Sequence, residues 1–449
     1  MVSDPQLQSA HHASERSSVV RRLMIFFGLV YFMQGIGQAG GLISQPLSYY
    51  FKEALGLDAA RTTEYLAVLT IPWVIKPLYG LISDFIPLFG YRRKSYLYLM
   101  NALAAAAFLW LTGLSAPGMI VTAMFITALG TAASDVLVDA LMVENGQATG
   151  LTKQFQATQW LWFNVAAILT AWFGGYLSQT LDPASAFHMA AFITMLAPVA
   201  VMFGTLFLVQ ESRTTLNLDE MKATASSIRS ALKSKTLWAV MVFLAFWNFS
   251  PSFGTPLYYH MIDNLQFSQG FFGWLGVYRA LSLILGAWLY RKYLGGRLST
   301  RQLVSLSIGL GAASTLSTLW LVTPNLLEVA LPISRDGLVL GTVSEVIAVG
   351  LTLIFGVGEM IGLLTLLSLA ADACPAQAEG FTFAALMSVF NFAAQASAIV
   401  GARLYVDYFD RDLTLLILIS AAFTLACFLL FPLLRTVFRA SEQEPTVAT

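Results

Sequence analysis

The sequence predicts an all-α membrane protein of twelve transmembrane helices arranged as two pseudo-symmetric six-helix bundles. Three observations carry that prediction. Hydrophobic residues fill 57% of the 449 positions and charged residues 11%, against roughly 25% charge in a soluble domain, so most of the chain has no water to face. Twelve apolar runs come near the ~20 residues that a bilayer crossing needs. The two halves also echo each other. Phe163-Asn164-Val165-Ala166-Ala167 returns as Phe390-Asn391-Phe392-Ala393-Ala394, and Pro46-Leu47-Ser48-Tyr49-Tyr50 returns as Pro256-Leu257-Tyr258-Tyr259. A membrane chain that repeats itself once at half its length is built from two related bundles, an arrangement that commonly encloses a solute site between the halves.

A polar tail, 1–22, contains His11 and His12, which are most simply solvated. The first apolar run is too long and too rich in Gly and Gln for a signal-peptide core, so it reads as a retained span. The spans fall at 23–50, 63–87, 95–115, 117–143, 154–180, 186–209, 236–262, 268–293, 301–323, 345–371, 379–405 and 412–438. The first bundle is thus 23–209 and the second 236–438, joined by the hydrophilic linker 210–235 and followed by the tail 439–449. A second polar insertion, 324–344, contains Pro324, Pro332 and Gly337. Basic residues concentrate on one side, at Arg21, Arg22, Arg92, Arg93, Lys94, Arg229, Lys233, Lys235, Arg291, Lys292, Arg297, Arg301, Arg435 and Arg439. The positive-inside rule puts that side and both termini in the cytoplasm of a cell-membrane protein.

Several function classes are excluded. Zero net charge argues against a nucleic-acid partner. Cys374 and Cys427 are far apart and the histidines have no ligand spacing, so no metal site or disulfide framework is indicated. There is no G-x-x-x-x-G-K-[ST] loop for ATP, no nucleophile–base constellation and no cofactor motif, so enzyme activity is not expected.

Gly80-Leu81-Ile82-Ser83-Asp84 followed by Gly90-Tyr91-Arg92-Arg93-Lys94 resembles the loop between spans 2 and 3 of the major facilitator superfamily. That resemblance implies the major facilitator fold, with Asp84, Arg92 and Arg93 latching a cytoplasmic gate. Gln45-Pro46-Leu47, Pro72-Trp73-Val74-Ile75-Lys76-Pro77-Leu78-Tyr79-Gly80 and Ser134-Asp135-Val136-Leu137-Val138-Asp139 are similar to the folate–biopterin transporter family. The resemblance implies a secondary active transporter, a monomer that imports an anionic folate- or pterin-like solute with protons by alternating access. The motifs cover mainly residues 31–145; beyond residue 200 only the general layout is shared.

Ionisable residues inside spans cost roughly 2.5–3.5 kcal/mol on insertion scales and are usually paired or face a wet cavity. At about 1.5 Å per residue, Lys76 and Asp135 lie roughly 12–13 Å from the basic end, and Arg279 and Glu359 roughly 18–20 Å. The expectation is one base facing one acid in each half: Lys76 with Asp135, and Arg279 with Glu359. Asp139, one turn from Asp135, is a further proton acceptor. The bland alternative is that each pair only holds helices in register.

A pterin needs an aromatic face and hydrogen-bonding groups at its edge. Gln34 and Gln38 on span 1 and Trp247 and Asn248 on span 7 are the candidates. Asn164 and Asn391 read as interhelical ties. Tyr49, Tyr50, Tyr258 and Tyr259 are either an extracellular gate or interfacial anchors. Rival readings are a same-fold permease for a muropeptide, amino-acid derivative or drug, a non-transporting assembly factor for pigment proteins, and a non-transporting solute sensor.

Overall fold

The computed structural model describes residues 5–214, 218–295, 297–322, 334–335, 338–339, 342–374 and 379–443; Pro324, Pro332 and Gly337 of the second insertion lie outside them. The architecture of the described residues is helical apart from a two-residue ladder pairing Ser334–Arg335 with Leu338–Val339 and an isolated antiparallel bridge between Leu88 and Tyr91. Among the described residues, nine helices are long and apolar enough to cross a membrane: Ser17–Gly37, Pro117–Thr149, Gln154–Thr180, Pro183–Leu208, Gln269–Leu294, Thr300–Leu321, Val343–Asp372, Phe381–Tyr408 and Leu413–Arg439. They correspond to spans 1, 4, 5, 6 and 8 through 12 of the sequence reading.

The other three expected spans have local reasons to differ. Span 3 is the helix Lys94–Leu111, made less apolar by Lys94, Ser95 and Asn101. Span 2 is broken into Ala59–Val68, Ile71–Val74 and Lys76–Phe85. Pro72 and Pro77 cannot donate to a continuous ladder, and each sits at the start of a new segment. Span 7 is broken into Lys235–Asn248 and Gly254–Asp263 around Pro251. Span 1 also ends early, at Gly37, before a short helix Ser44–Tyr49. Its turn needs Gly41, because a Cβ there would lie 2.3 Å from the Ile36 carbonyl oxygen.

A broken helix leaves backbone groups that must be satisfied inside the protein. The span 7 break is stitched by hydroxyls and backbone from two later helices. Ser252 N–H donates to the Ser397 carbonyl at 3.2 Å, and Ser397 Oγ donates to the Ser250 carbonyl. Ser250 Oγ donates to the Ser420 carbonyl at 2.9 Å. Gly401 completes the fit, since a Cβ there would meet the Ser252 oxygen at 1.9 Å.

The chain forms two compact units that interleave along its length. One comprises Met1–Ser44, Leu78–Thr170 and Phe187–Leu218; the other comprises Gln45–Pro77, Ala171–Ala186 and Asp219–Thr449. The first unit packs around Phe26, Phe27, Leu97, Val138 and Phe155. The second packs around Phe243, Val304, Leu369, Leu386 and Cys427. Short stretches of the first sequence half, 45–77 and 171–186, therefore belong to the unit that holds the second half.

Candidate functional site

In the second unit, a cavity of about 590 Å³ is lined by residues including Trp247, Asn248, Ser307, Phe355, Glu359 and Phe390. A smaller one of about 210 Å³ adjoins it, sharing Phe355 and Glu359 and adding Arg279 and Thr352. Three of the residues singled out from sequence, Trp247, Asn248 and Glu359, thus line one cavity, and a fourth, Arg279, reaches it through its partner. Trp247 and Asn248 sit there because their helix stops at the span 7 break. Asn248 Nδ2 donates to the Leu244 carbonyl at 2.9 Å, one turn back, which leaves its side-chain oxygen as an acceptor.

The expected pairing of Arg279 with Glu359 is present. Arg279 Nε donates to Glu359 Oε2 at 3.0 Å, and Nη2 donates to Oε1, a forked two-point contact. The side chains are 56% and 47% exposed, so the pair lies on a surface and not in the helix-packed core. An exchangeable partner must be reachable in this way, whereas a register pin need not be. Ser282 Oγ lies 2.9, 2.8 and 3.3 Å from the Tyr278, Arg279 and Thr352 carbonyl oxygens, which compete for its single proton, and the third of these is on the facing helix.

The first unit holds a separate polar network. Tyr31 Oη donates to Asp139 and Gln34 Nε2 donates to Asp135, each at very short range. Asp135 is buried at 7% exposure. Next to it, Asn101 Nδ2 donates to Ser134 Oγ at 3.0 Å. The placing of Asp135 and Asp139 on one helix face holds, but Tyr31 escaped sequence reasoning. Its signal was available: it precedes Gln34 by three positions and so shares its face. Gln38 lies in the turn after Gly37, its N–H bonded to the Gln34 carbonyl at 3.0 Å and its own carbonyl accepting from Gly41 at 2.8 Å. Lys76 opens the last segment of span 2, in the second unit, with its ammonium 4.5 Å from the Trp73 ring centroid.

The loop between spans 2 and 3 gathers Asp84 and Arg93. Arg93, 4% exposed, donates to Ser83 Oγ at 2.6 Å, to Glu144 Oε1 at 2.9 Å and to Asp84. Glu144 is thus part of the cluster. Glu211 is a second residue that sequence reasoning missed. Its carboxylate accepts the backbone N–H groups of Arg92, Arg93 and Lys94 at 2.8–3.2 Å, capping the start of span 3. Arg92 joins the cluster through its backbone N–H. Asn164 departs from its expected role: its amide donates to the Trp160 carbonyl of its own helix at 2.7 Å, because that acceptor one turn back is already within reach.

At the opposite ends of the spans, within the second unit, the two sequence halves are clasped together. Arg403 donates to Glu64, with Nε 2.7 Å from Oε1. Lys52 Nζ lies 2.6 Å from Asp263 and 2.8 Å from Glu53. Burial pulls the Lys52 ammonium pKa down, but hydrogen bonds to Asp263 and Glu53 outweigh it and the net shift is upward. Gln45 Nε2 donates to the Gln269 carbonyl at 2.7 Å. Tyr259 Oη donates to the Leu57 carbonyl at 2.8 Å and lies 2.8 Å from Thr62 Oγ1. Gly175 and Gly273 let two helices touch, a Cβ on Gly175 coming within 2.6 Å of the Gly273 Cα. Of the four tyrosines singled out from sequence, Tyr259 and, through Gln269 at 3.4 Å, Tyr258 take part in this clasp.

Comparison with known proteins gives a consistent picture. The model of the BT1 family matches residues 34–447. The folate-biopterin transporter of Synechocystis sp. is 30% identical over 383 residues, 84% of this chain and 73% of that protein. The probable folate-biopterin transporter 4 of Arabidopsis thaliana is 23% identical, over 84% of this chain and 87% of that one. Among solved structures, the POT family transporter PepTSo superposes with a TM-score of 0.69 at 13% identity, over 94% of this chain and 99% of that one. The nucleoside transporter NupG gives 0.65 at 15% identity, over 93% and 99%. At these identities the structural likeness shows a shared fold, that of the major facilitator transporters.

Proposed function

The chain belongs to the BT1 family, and from that premise we propose that it carries an anionic folate- or pterin-like solute across its membrane together with protons, by alternating access. That it is a multi-pass membrane transporter of a small solute, and not an enzyme, follows from its relatives. The solute class and the coupling are the proposal. One observation carries it: the half-exposed Arg279 guanidinium, held in a fork by Glu359 at the junction of two cavities. A solute carboxylate that takes the fork from Glu359 binds Arg279 and frees an acid for a proton. Binding and protonation are then linked through one pair. Trp247 supplies a face for a flat ring and Asn248 an acceptor at its edge.

In the first unit, Asp139 and Asp135, held by Tyr31 and Gln34, are the second candidate proton site; Lys76, in the second unit, is a further candidate coupling base. Asp84, Arg92 and Arg93 form the inner gate, and the Glu64–Arg403 and Lys52–Asp263 clasp forms the outer one. Basic-residue distribution supports a cell-membrane protein with both termini in the cytoplasm, and the function needs no second copy. The test is uptake of labelled folate and of a simple pterin into proteoliposomes, with and without a proton gradient. Accumulation that collapses with the gradient is the expected outcome. Uptake of either solute unaffected by the gradient removes the coupling, and no uptake by folded protein removes the solute class.

A further inference from the structure

A third cavity, of about 530 Å³, is lined by residues including Arg301, Phe428, Phe431, Arg435, Phe438 and Arg439. Its position follows from local structure. Arg301 is in the first turn of the helix Thr300–Ser317, which opens one membrane span. Arg435 and Arg439 close another, the span Leu413–Arg439. They are one turn apart on the helix Arg435–Gln443 and so share a face. Just before that helix the chain runs through a 3₁₀ stretch, Cys427–Leu434, containing Pro432. Proline cannot donate to the ladder, and the tighter turn redirects the chain. Leu434, Val437 and Phe438 are buried and anchor the helix, while Arg435 and Arg439 stay exposed beside Arg301.

Three guanidinium groups facing one cavity repel one another unless an anion sits between them. Among the described residues, no salt bridge joins any of the three to a carboxylate. Arginine's fork of donors matches phosphate oxygens two at a time. The phenylalanine walls suit something that also has an apolar part. Because all three arginines stand at span ends, the cavity lies at the height where a bilayer passes from acyl chain to headgroup. Basic pockets between transmembrane helices at that level accept anionic headgroups.

We propose that this cavity binds the phosphate-bearing headgroup of an anionic phospholipid, with the phenylalanines against the glycerol and upper acyl chain. The bound lipid ties the first turn of one span to the last turn of another, so it stabilises the second unit from its basic end.

The experiment uses the full chain purified in detergent. Native mass spectrometry and thermal unfolding are followed as phosphatidylglycerol, phosphatidylcholine or inorganic phosphate is added. Phosphatidylglycerol is expected to be retained and to raise the unfolding midpoint, and phosphatidylcholine to do neither. Neutralising Arg301, Arg435 and Arg439 to Gln weakens phosphatidylglycerol binding by about fivefold per charge removed. Neutralising Arg229, Lys233 and Lys235 in the linker leaves it unchanged. Should the triple variant not fold, Arg439→Gln alone is read by the same titration. Equal retention of phosphatidylcholine, or no loss in the arginine variants, overturns the proposal. Equal stabilisation by millimolar inorganic phosphate also overturns it, since the site is then one for a soluble anion.

Discussion

Arg403 and Glu64 stand far apart in the sequence, yet Arg403 Nε lies 2.7 Å from Glu64 Oε1, at the end of the spans away from the basic loops. Arg403 also reaches Asp407 at 3.1 Å, and Arg61 reaches Glu64 at 3.4 Å. The contact joins the start of the broken second span to the close of the helix Glu379–Arg403. As a partly exposed pair it contributes up to about 1 kcal/mol. A gate calls for such a strength: enough to bias a state, too little to lock it. Cysteines at both positions, bridged by a short bifunctional thiol reagent, are expected to stop uptake, and a cleavable reagent to restore it on reduction. Unchanged uptake in the bridged protein excludes a gating role.

The Lys52–Asp263 contact responds to pH in a defined direction. The Lys52 pKa is raised above its ordinary 10.5. Its contribution is therefore fully present below the unfolded value and is lost only as pH rises through the higher folded value. Across pH 5–8 the ammonium stays charged, so Lys52→Gln is expected to shift the level of uptake without moving its pH midpoint. A moved midpoint would assign the proton response to the clasp.

Arg279→Met and Glu359→Gln are each expected to lower uptake at least tenfold, a loss of about 1.4 kcal/mol or more. The exchanged pair, Arg279→Glu with Glu359→Arg, separates the roles. Recovery of thermal stability without recovery of uptake indicates solute or proton handling. Full recovery of both indicates a register pin.

Arg93 is buried and serves Ser83, Asp84 and Glu144 together. Arg93→Gln strands both carboxylates, but these are about half exposed, so water compensates in part. We expect a loss of about 1–3 kcal/mol, read as a lower unfolding midpoint. Glu211→Gln is expected to lower it too, because one amide oxygen replaces two carboxylate oxygens and leaves one of the three backbone N–H groups facing an NH2 that cannot accept.

Gly401→Ala is expected to be severe, because its Cβ would fall 1.9 Å from the Ser252 oxygen. Neither partner there is a flexible side-chain tip, so the cost is about 1–3 kcal/mol or more. Gly350, also inside a helix, has nothing within 4 Å of its added Cβ. Gly350→Ala should be neutral or slightly stabilising. Equal unfolding midpoints for the two variants would show that the span 7 break is not packed in this way.

By itself the sequence determined the class of the molecule, its solvent and its charged sites. Low charge and long apolar runs fix a membrane helix protein because a bilayer tolerates little else. An arginine or a carboxylate inside such a run is costly, and Arg279 and Glu359 were legible for that reason. Depth along a helix is a one-dimensional property that residue numbers supply. Which helices break could be suspected from Pro72, Pro77, Pro251 and the glycines after Ile36. How the breaks are healed could not, because Ser397 and Ser420 look like ordinary small residues until they reach the Ser250 and Ser252 backbone. Glu211 on the start of span 3 and Arg403 on Glu64 were decided by the tertiary structure alone; Tyr31 shares a legible face with Gln34, but its contact with Asp139 was decided there too. Each depends on the rotation of one helix about its axis and on its neighbour, and a hydropathy pattern that is apolar on nearly every face leaves that rotation unspecified.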